Sequence, residues 1–170
     1  MKTLFVDHSI CLSCESCALA CAVAHSQSKT LYGAIAEEFP PRARVHVEAV
    51  GGGGFPLQCR HCDDPQCVKA CVAKALYVDA VSGTVQHDDS RCIGCTMCIL
   101  ACPFGAIEEQ PAADNNCAIS KCDLCQGLDG EPACVSACPT AAISFKEPDT
   151  YSKNKRQAYL VELTSVGSAQ

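Results

Sequence analysis

A chain of 170 residues suffices for one domain or two small joined halves, and its net charge of −6 argues against nucleic acid or an anionic membrane as main partner. Seventeen cysteines, set against five Phe, four Tyr and no Trp, leave little for a conventional apolar core. Cysteine at this density reads as a disulfide framework, zinc sites or iron–sulfur clusters.

The opening M-K-T-L-F-V-D-H-S carries no apolar signal segment and no twin arginine, so disulfides in an exported protein are disfavoured. No apolar run approaches the ~18 residues that span a bilayer. The expectation is a soluble protein in a reducing cytoplasm without a direct membrane span, exported only alongside a signal-bearing partner. Leu4 to Val6 then reads as a strand leading into the first cysteine run, Cys11, Cys14, Cys17 and Cys21. Residues 22–39 start as a helix that Pro40–Pro41 closes. Arg44 to Val50 alternates like a strand and leads into Gly51 to Gly54, a flexible loop, since no phosphate-binding G-x-x-x-x-G-K-[ST] is present.

The second run is Cys59, Cys62, Cys67 and Cys71. Ala75 to Asp88 reads as a hairpin, with L-Y-V and T-V-Q around a turn at Ser82–Gly83. The third run, Cys92, Cys95, Cys98 and Cys102, spells C-x₂-C-x₂-C-x₃-C-P, the bacterial ferredoxin pattern for a [4Fe–4S] cluster. The fourth is Cys122, Cys125, Cys134 and Cys138, with a long x₈ loop from Gln126 to Ala133 and then Pro139. The tail from Glu147 is polar and offers Q-A-Y-L-V-E-L as a last strand; such a tail frays or docks on a neighbour.

The spacing has a physical logic. Three thiolates two residues apart sit on one tight loop and grip three corners of a cubane. The fourth lies one helical turn further on and points at a different object, which in two-cluster proteins is the second cluster. Each of the four runs ends with x₃, and V-A-K-A-L-Y-V-D, P-F-G-A-I-E-E and P-T-A-A-I-S-F follow the last three as turns into short strands. With so few large apolar side chains, the clusters would serve as the core, and the metal-free chain is expected to be largely unfolded. Four clusters at about −2 each would take the loaded protein to about −14, favouring basic docking surfaces.

Four runs of this kind resemble the four-cluster ferredoxin-like electron-transfer subunits of the dimethyl sulfoxide reductase, formate dehydrogenase and carbon monoxide dehydrogenase-associated families, over residues 4–146. The opening C-L-S-C-E-S-C-A-L-A-C-A-V-A-H-S is most similar to the compact members serving carbon monoxide dehydrogenase, formate hydrogenlyase and tungsten-dependent aldehyde oxidoreductase complexes. The resemblance implies an α+β fold of tandem bacterial ferredoxin-like units, each with two [4Fe–4S] clusters, short hairpins and short helices. It implies a four-cluster domain over 1–146 and a C-terminal extension over 147–170. The outer unit takes the runs 11–21 and 122–138, the inner unit the runs 59–71 and 92–102, and each run lends its last cysteine to its partner's cluster. The implied ligand sets are Cys11, Cys14, Cys17 and Cys138; Cys122, Cys125, Cys134 and Cys21; Cys59, Cys62, Cys67 and Cys102; and Cys92, Cys95, Cys98 and Cys71. Cys21 and Cys71 depart from the pattern in lacking a following proline. The implied function is a non-catalytic relay of single electrons through four [4Fe–4S] clusters. Its partners would be a large tungsten- or molybdenum-pterin subunit oxidising an aldehyde or formate, and a second redox subunit or carrier.

Other readings stand beside this one. Structural zinc explains C-x₂-C pairs but gives no reason for C-x₂-C-x₂-C-x₃-C-P. A zinc-stapled interaction module, or a scaffold self-associating through its tail, are the alternative functions. Cys117 reads as a spare thiol, because Cys122 already completes the fourth run. His25 and His61 adjoin cluster cysteines, yet no thiolate is missing, so they read as supporting or surface residues. Of the flanking cations Arg60, Lys69, Arg91 and Lys121, Lys69 is the foremost candidate to tune a cluster; the others read as solvated charges. The pairs Asp63–Asp64, Asp88–Asp89 and Glu108–Glu109 read as exposed faces, without an active site.

Overall fold

Four separate two-stranded antiparallel ribbons and six helices, joined by short turns, make an α+β fold in the computed structural model, which describes residues 2–111, 118–128 and 130–166. β1 (Thr3–Val6) pairs with β8 (Ile143–Lys146), so strands from the two ends of the chain close on one another. β2 (Val45–Val50) pairs with β3 (Gly53–Gln58), β4 (Leu76–Val78) with β5 (Val85–His87), and β6 (Ile107–Gln110) with β7 (Ala118–Lys121).

Four of the helices share one job. α1 (Ser16–Ala24), α3 (Gln66–Lys69), α4 (Met97–Ala101) and α5 (Ala133–Ser136) each carry the third cysteine of a run as their second residue. Those four cysteines, Cys17, Cys67, Cys98 and Cys134, are all buried. α1 packs on α5 and α3 on α4, so first run faces fourth and second faces third. Two apolar clusters follow the same division. One gathers Leu4, Val45 and Ile143 around Cys17, Cys21, Cys122 and Cys134. The other gathers Leu76, Val85, Ile107 and Ile119 around Cys67 and Cys98.

The lead-in to the first and third runs is one device used twice. Asp7 caps a single 3₁₀ turn, His8–Ile10, and Asp88 caps Asp89–Arg91, each accepting from the backbone of the serine two residues on. The amide of Asp7 donates to Ala142 O at 2.8 Å, and that of Asp88 to Ala75 O at 2.9 Å. Ala142 and Ala75 each lie four residues past the last cysteine of the facing run, so the start of one run is pinned to the end of its mate.

Three expectations need correction. The tetraglycine is not one flexible loop: Gly51 and Gly52 form the turn at positive φ, while Gly53 and Gly54 belong to β3. Helix α1 begins before residue 22, at Ser16, and a separate α2 (Leu31–Ala36) follows, opened by the Thr30 side chain accepting from Gly33 N. Residues of Q-A-Y-L-V-E-L are not a strand but part of α6 (Pro148–Val166). Proline at the first helical position and Asp149 in the first turn favour that start. Phe5 stacks on Tyr151 with ring centroids 3.9 Å apart, holding the base of α6 against β1.

Candidate metal centres

Each run wraps its first two cysteines around a backbone turn of the same kind. Ser13, His61, Gly94 and Leu124, each two residues past the first cysteine of its run, have φ between 46° and 64°. Only one of the four is glycine, so three side chains hold a conformation that sterics disfavour. The turn reverses the chain and brings the flanking thiols to one side.

The sixteen described cysteines are free thiols, and cysteines of facing runs come together in groups of four, or quartets. Cys11, Cys14, Cys17 and Cys138 line one apolar recess together with Val47, Pro56 and Ile143. Cys71, Cys92, Cys95 and Cys98 line a second, with Leu76, Ile93 and Ile119. Cys21 interacts electrostatically with Cys122, Cys125 and Cys134. Cys59 interacts in the same way with Cys62, Cys67 and Cys102. In all four quartets three members come from one run and the fourth from its facing run. Cys134 also senses Cys17, so the quartets of the first and fourth runs are neighbours. Cys117 lies outside the described residues.

Several of these thiols are costly to ionise alone. Burial pushes Cys134 up to about 12 and Cys98 up to about 11, and it raises Cys122 furthest of all. A bound metal reverses that balance, because a coordinating thiol is deprotonated outright. Backbone amides are already aimed at several sulfurs. Ala142 N lies 3.2 Å from Cys138 Sγ, Ala75 N and Leu76 N lie 3.2 and 3.4 Å from Cys71 Sγ, and Arg44 N lies 3.3 Å from Cys21 Sγ. Leu124 N reaches Cys122 Sγ at 3.4 Å. Such N–H donors favour thiolate and raise the potential of an iron–sulfur cluster. Groups of thiols that are mostly buried or half-buried, several of them under amide donors, fit tetrathiolate-bound clusters.

The quartets differ in exposure. Cys14 and Cys95 are exposed, whereas the second cysteines of the other runs, Cys62 and Cys125, are half-buried. The residue after the first cysteine follows suit. Leu12 and Ile93 are exposed apolar side chains in the first and third runs. Arg60 and Asp123 hold that position in the second and fourth.

Around the fourth run lies a polar network that sequence reasoning missed. Asp123 accepts from Arg44 Nη1 at 2.5 Å, from His25 Nε2 at 3.1 Å and from the amide of Cys125 at 2.9 Å. The other nitrogen of His25 lies 2.8 Å from Cys21 O. Burial opposes the charges here, but the hydrogen bonds of Asp123 and Cys21 outweigh it and lift His25 to about 9. Burial likewise opposes ionisation of Asp123, and its partners His25 and Arg44 still hold it well below the usual carboxylate range. His25, Asp123 and Cys125 cluster closely enough to chelate an ion, but Cys125 belongs to a thiol quartet and the other two are engaged with Arg44 and Cys21.

Among the flanking cations the structure reverses the expected order. Lys69 is largely exposed and ion-paired with Asp64. Lys121 is only 3% exposed, and its Nζ donates to Val85 O at 2.5 Å and Cys122 O at 2.7 Å. The amide of Val85 in turn donates to His61 Nδ1 at 3.1 Å, which places the imidazole proton on Nε2. Burial and then Lys121 push His61 down to about 4, so it is a neutral, supporting residue. Asp63 and Asp64 are exposed, and Glu108 makes loose surface pairs with Arg42 and His46. Asp88 and Asp89 act as a cap and as a partner of His87.

Comparison with known proteins gives a consistent picture. Residues 53–148 match the 4Fe-4S dicluster domain family. An iron–sulfur protein of Rhodospirillum rubrum is 44% identical over 169 residues, covering 92% of this chain and 87% of that protein. The electron transport protein HydN of Escherichia coli (strain K12) is 35% identical over 154 residues, covering 84% of this chain and 86% of its own. The beta subunit of NADH-dependent phenylglyoxylate dehydrogenase from Aromatoleum evansii is 37% identical over 146 residues; the match takes in 84% of this chain but 29% of that longer subunit. No helix of the described residues is long and apolar enough to cross a membrane.

Proposed function

The chain belongs to the 4Fe-4S dicluster domain family, and we propose that it relays single electrons through four [4Fe–4S] clusters between a catalytic oxidoreductase subunit and a second redox partner. The observation that carries this reading is that facing runs bring their cysteines together, Cys138 lining one recess with Cys11, Cys14 and Cys17, and Cys71 another with Cys92, Cys95 and Cys98. The ligand sets are Cys11, Cys14, Cys17 and Cys138; Cys21, Cys122, Cys125 and Cys134; Cys59, Cys62, Cys67 and Cys102; and Cys71, Cys92, Cys95 and Cys98. Each bound cluster supplies one-electron redox chemistry, while the chain supplies ligands, spacing, burial and N–H donors.

Taken in that order the four sets read as a line. Cys17 and Cys134 couple the first to the second, Lys121 faces sulfurs of both the second and the third, and α3 on α4 joins the third to the fourth. The exposed thiols, Cys14 and Cys95, then mark the two ends where electrons enter and leave. Leu12 and Ile93 beside them offer the apolar contact a docking partner needs. Two ferredoxin-like units, from runs one and four and from runs two and three, account for the two separate apolar clusters.

Relatives named as an electron transport protein and as a subunit of a dehydrogenase support a role without substrate turnover by the chain itself. The resemblance of the first run favours a tungsten- or molybdenum-pterin enzyme acting on an aldehyde or formate as the catalytic partner. Anaerobic reductive titration tests the relay: about four electrons per chain are expected, one for each cluster. Uptake of two or fewer overturns it. Affinity isolation from the native host tests the partner, which is expected to be a large pterin-containing subunit; a lone chain contradicts that assignment.

A further inference from the structure

Lys121 stands out among the described residues as a buried ammonium with neither solvent nor a carboxylate ion pair. Its two hydrogen-bond partners, Val85 O and Cys122 O, are neutral carbonyls, one from the hairpin of the inner apolar cluster and one from the fourth run. The charges that face it are the sulfurs of Cys59 and Cys67 from the third quartet, Cys122 from the second, and the carboxylate of Asp123. Asp123 is itself engaged by Arg44 and His25. Burying an ammonium without compensation is strongly unfavourable, so the chain keeps Lys121 here only if something negative offsets it. Two tetrathiolate clusters, each about −2, would do so.

We infer that Lys121 is the shared counter-charge of the two central clusters and that it raises the reduction potentials of both. The inference rests on the four-cluster reading. Each electron added to a cluster deepens its negative charge, and a buried cation that faces its sulfurs stabilises the reduced form. None of the sulfurs that face it belongs to the end groups of Cys14 and Cys95. The centre of the line is thereby made easier to reduce than its ligands alone would make it, and adding an electron to one central cluster is less strongly opposed by the charge of the other.

The test is an EPR-monitored redox titration of the loaded protein and three variants, with iron counted in each sample. Lys121→Gln keeps a donor for the two carbonyls but removes the charge; Lys121→Met removes both; Lys121→Arg keeps the charge. In Lys121→Gln two of the four centres are expected to become about tenfold harder to reduce, a fall of about 59 mV for a one-electron couple, while the other two stay near their original values. Lys121→Arg is expected to remain within about threefold of the parent at every centre. Unshifted potentials in Lys121→Gln, or an equal fall at all four centres, overturn the inference. So does failure of Lys121→Gln to retain iron, since the side chain would then serve assembly rather than potential. If Lys121→Met alone fails to load, Lys121→Gln decides. Fewer than four centres in the parent protein would instead fault the four-cluster reading, and the same titration reports it.

Discussion

Arg44 and Asp123 meet at 2.5 Å although 79 residues separate them in the chain, and the amide of Arg44 points at the sulfur of Cys21. The pair therefore ties the start of β2 to the fourth run at the point where that run receives its partner's cysteine. Asp123→Asn should leave the Arg44 guanidinium and His25 without their counter-charge. Because both side chains of the pair are about a quarter exposed, the loss should be on the order of 2 kcal/mol, below that of a fully buried pair. Thermal unfolding of the loaded protein measures it.

The same network sets a pH dependence. Asp123 has a depressed pKa, so its contribution is present above the unfolded value of about 4 and is lost as pH falls below it. His25 is raised to about 9, so its contribution is complete below its unfolded value of about 6.5 and is lost as pH rises through about 9. Iron release from the parent protein should be slowest between about pH 4 and 6.5 from these two groups. Asp123→Asn should flatten both flanks; an unchanged profile would show that the network does not guard the cluster.

Gly54 lies in β3 against the first quartet. A Cβ there would collide with the Ser13 hydroxyl and come within 3.2 Å of Cys11 Sγ. Gly54→Ala should therefore disturb one cluster, seen as an altered or missing EPR signal and up to a quarter less iron. Gly51→Ala has open space around it and pays only for its φ of +55°. That variant should lose about 1 kcal/mol of stability and no iron.

Much of this molecule was legible because cysteine spacing encodes local geometry. The strand before the first run, the Ala75 to Asp88 hairpin and the turns into β4, β6 and β8 all follow from short-range chemistry, and the structure contains each of them. What escaped was long-range or depended on burial. Lys69 and Lys121 look alike beside their cysteines, and only tertiary packing leaves one solvated and the other enclosed. The Arg44–Asp123–His25 network joins residues 79 and 98 positions apart, with no motif to announce it. Q-A-Y-L-V-E-L looks like a strand when isolated, but it continues a helix begun by Pro148 eleven residues before Tyr159.

Exposure of the end thiols predicts an order of loss. Clusters held by Cys14 and Cys95 should be stripped first by oxygen or a chelator, because solvent reaches those ligands directly. Iron release should be biphasic, with about half of it fast. A single phase would remove the distinction between ends and middle.

Tyr151 fixes the base of α6 by stacking on Phe5, with interplanar angle 3°. Tyr151→Ala should cost about 1 kcal/mol in that contact and increase amide exchange along α6. Cluster content should not change, since the described recesses of Cys14 and Cys95 are lined by no residue of this helix.

Iron, acid-labile sulfide and zinc per chain, measured after strictly anaerobic purification, test the central claim most directly. About 16 iron and 16 sulfide are predicted, four cubanes on sixteen thiolates. About four zinc with no sulfide would contradict the relay altogether and leave a stapled binding module.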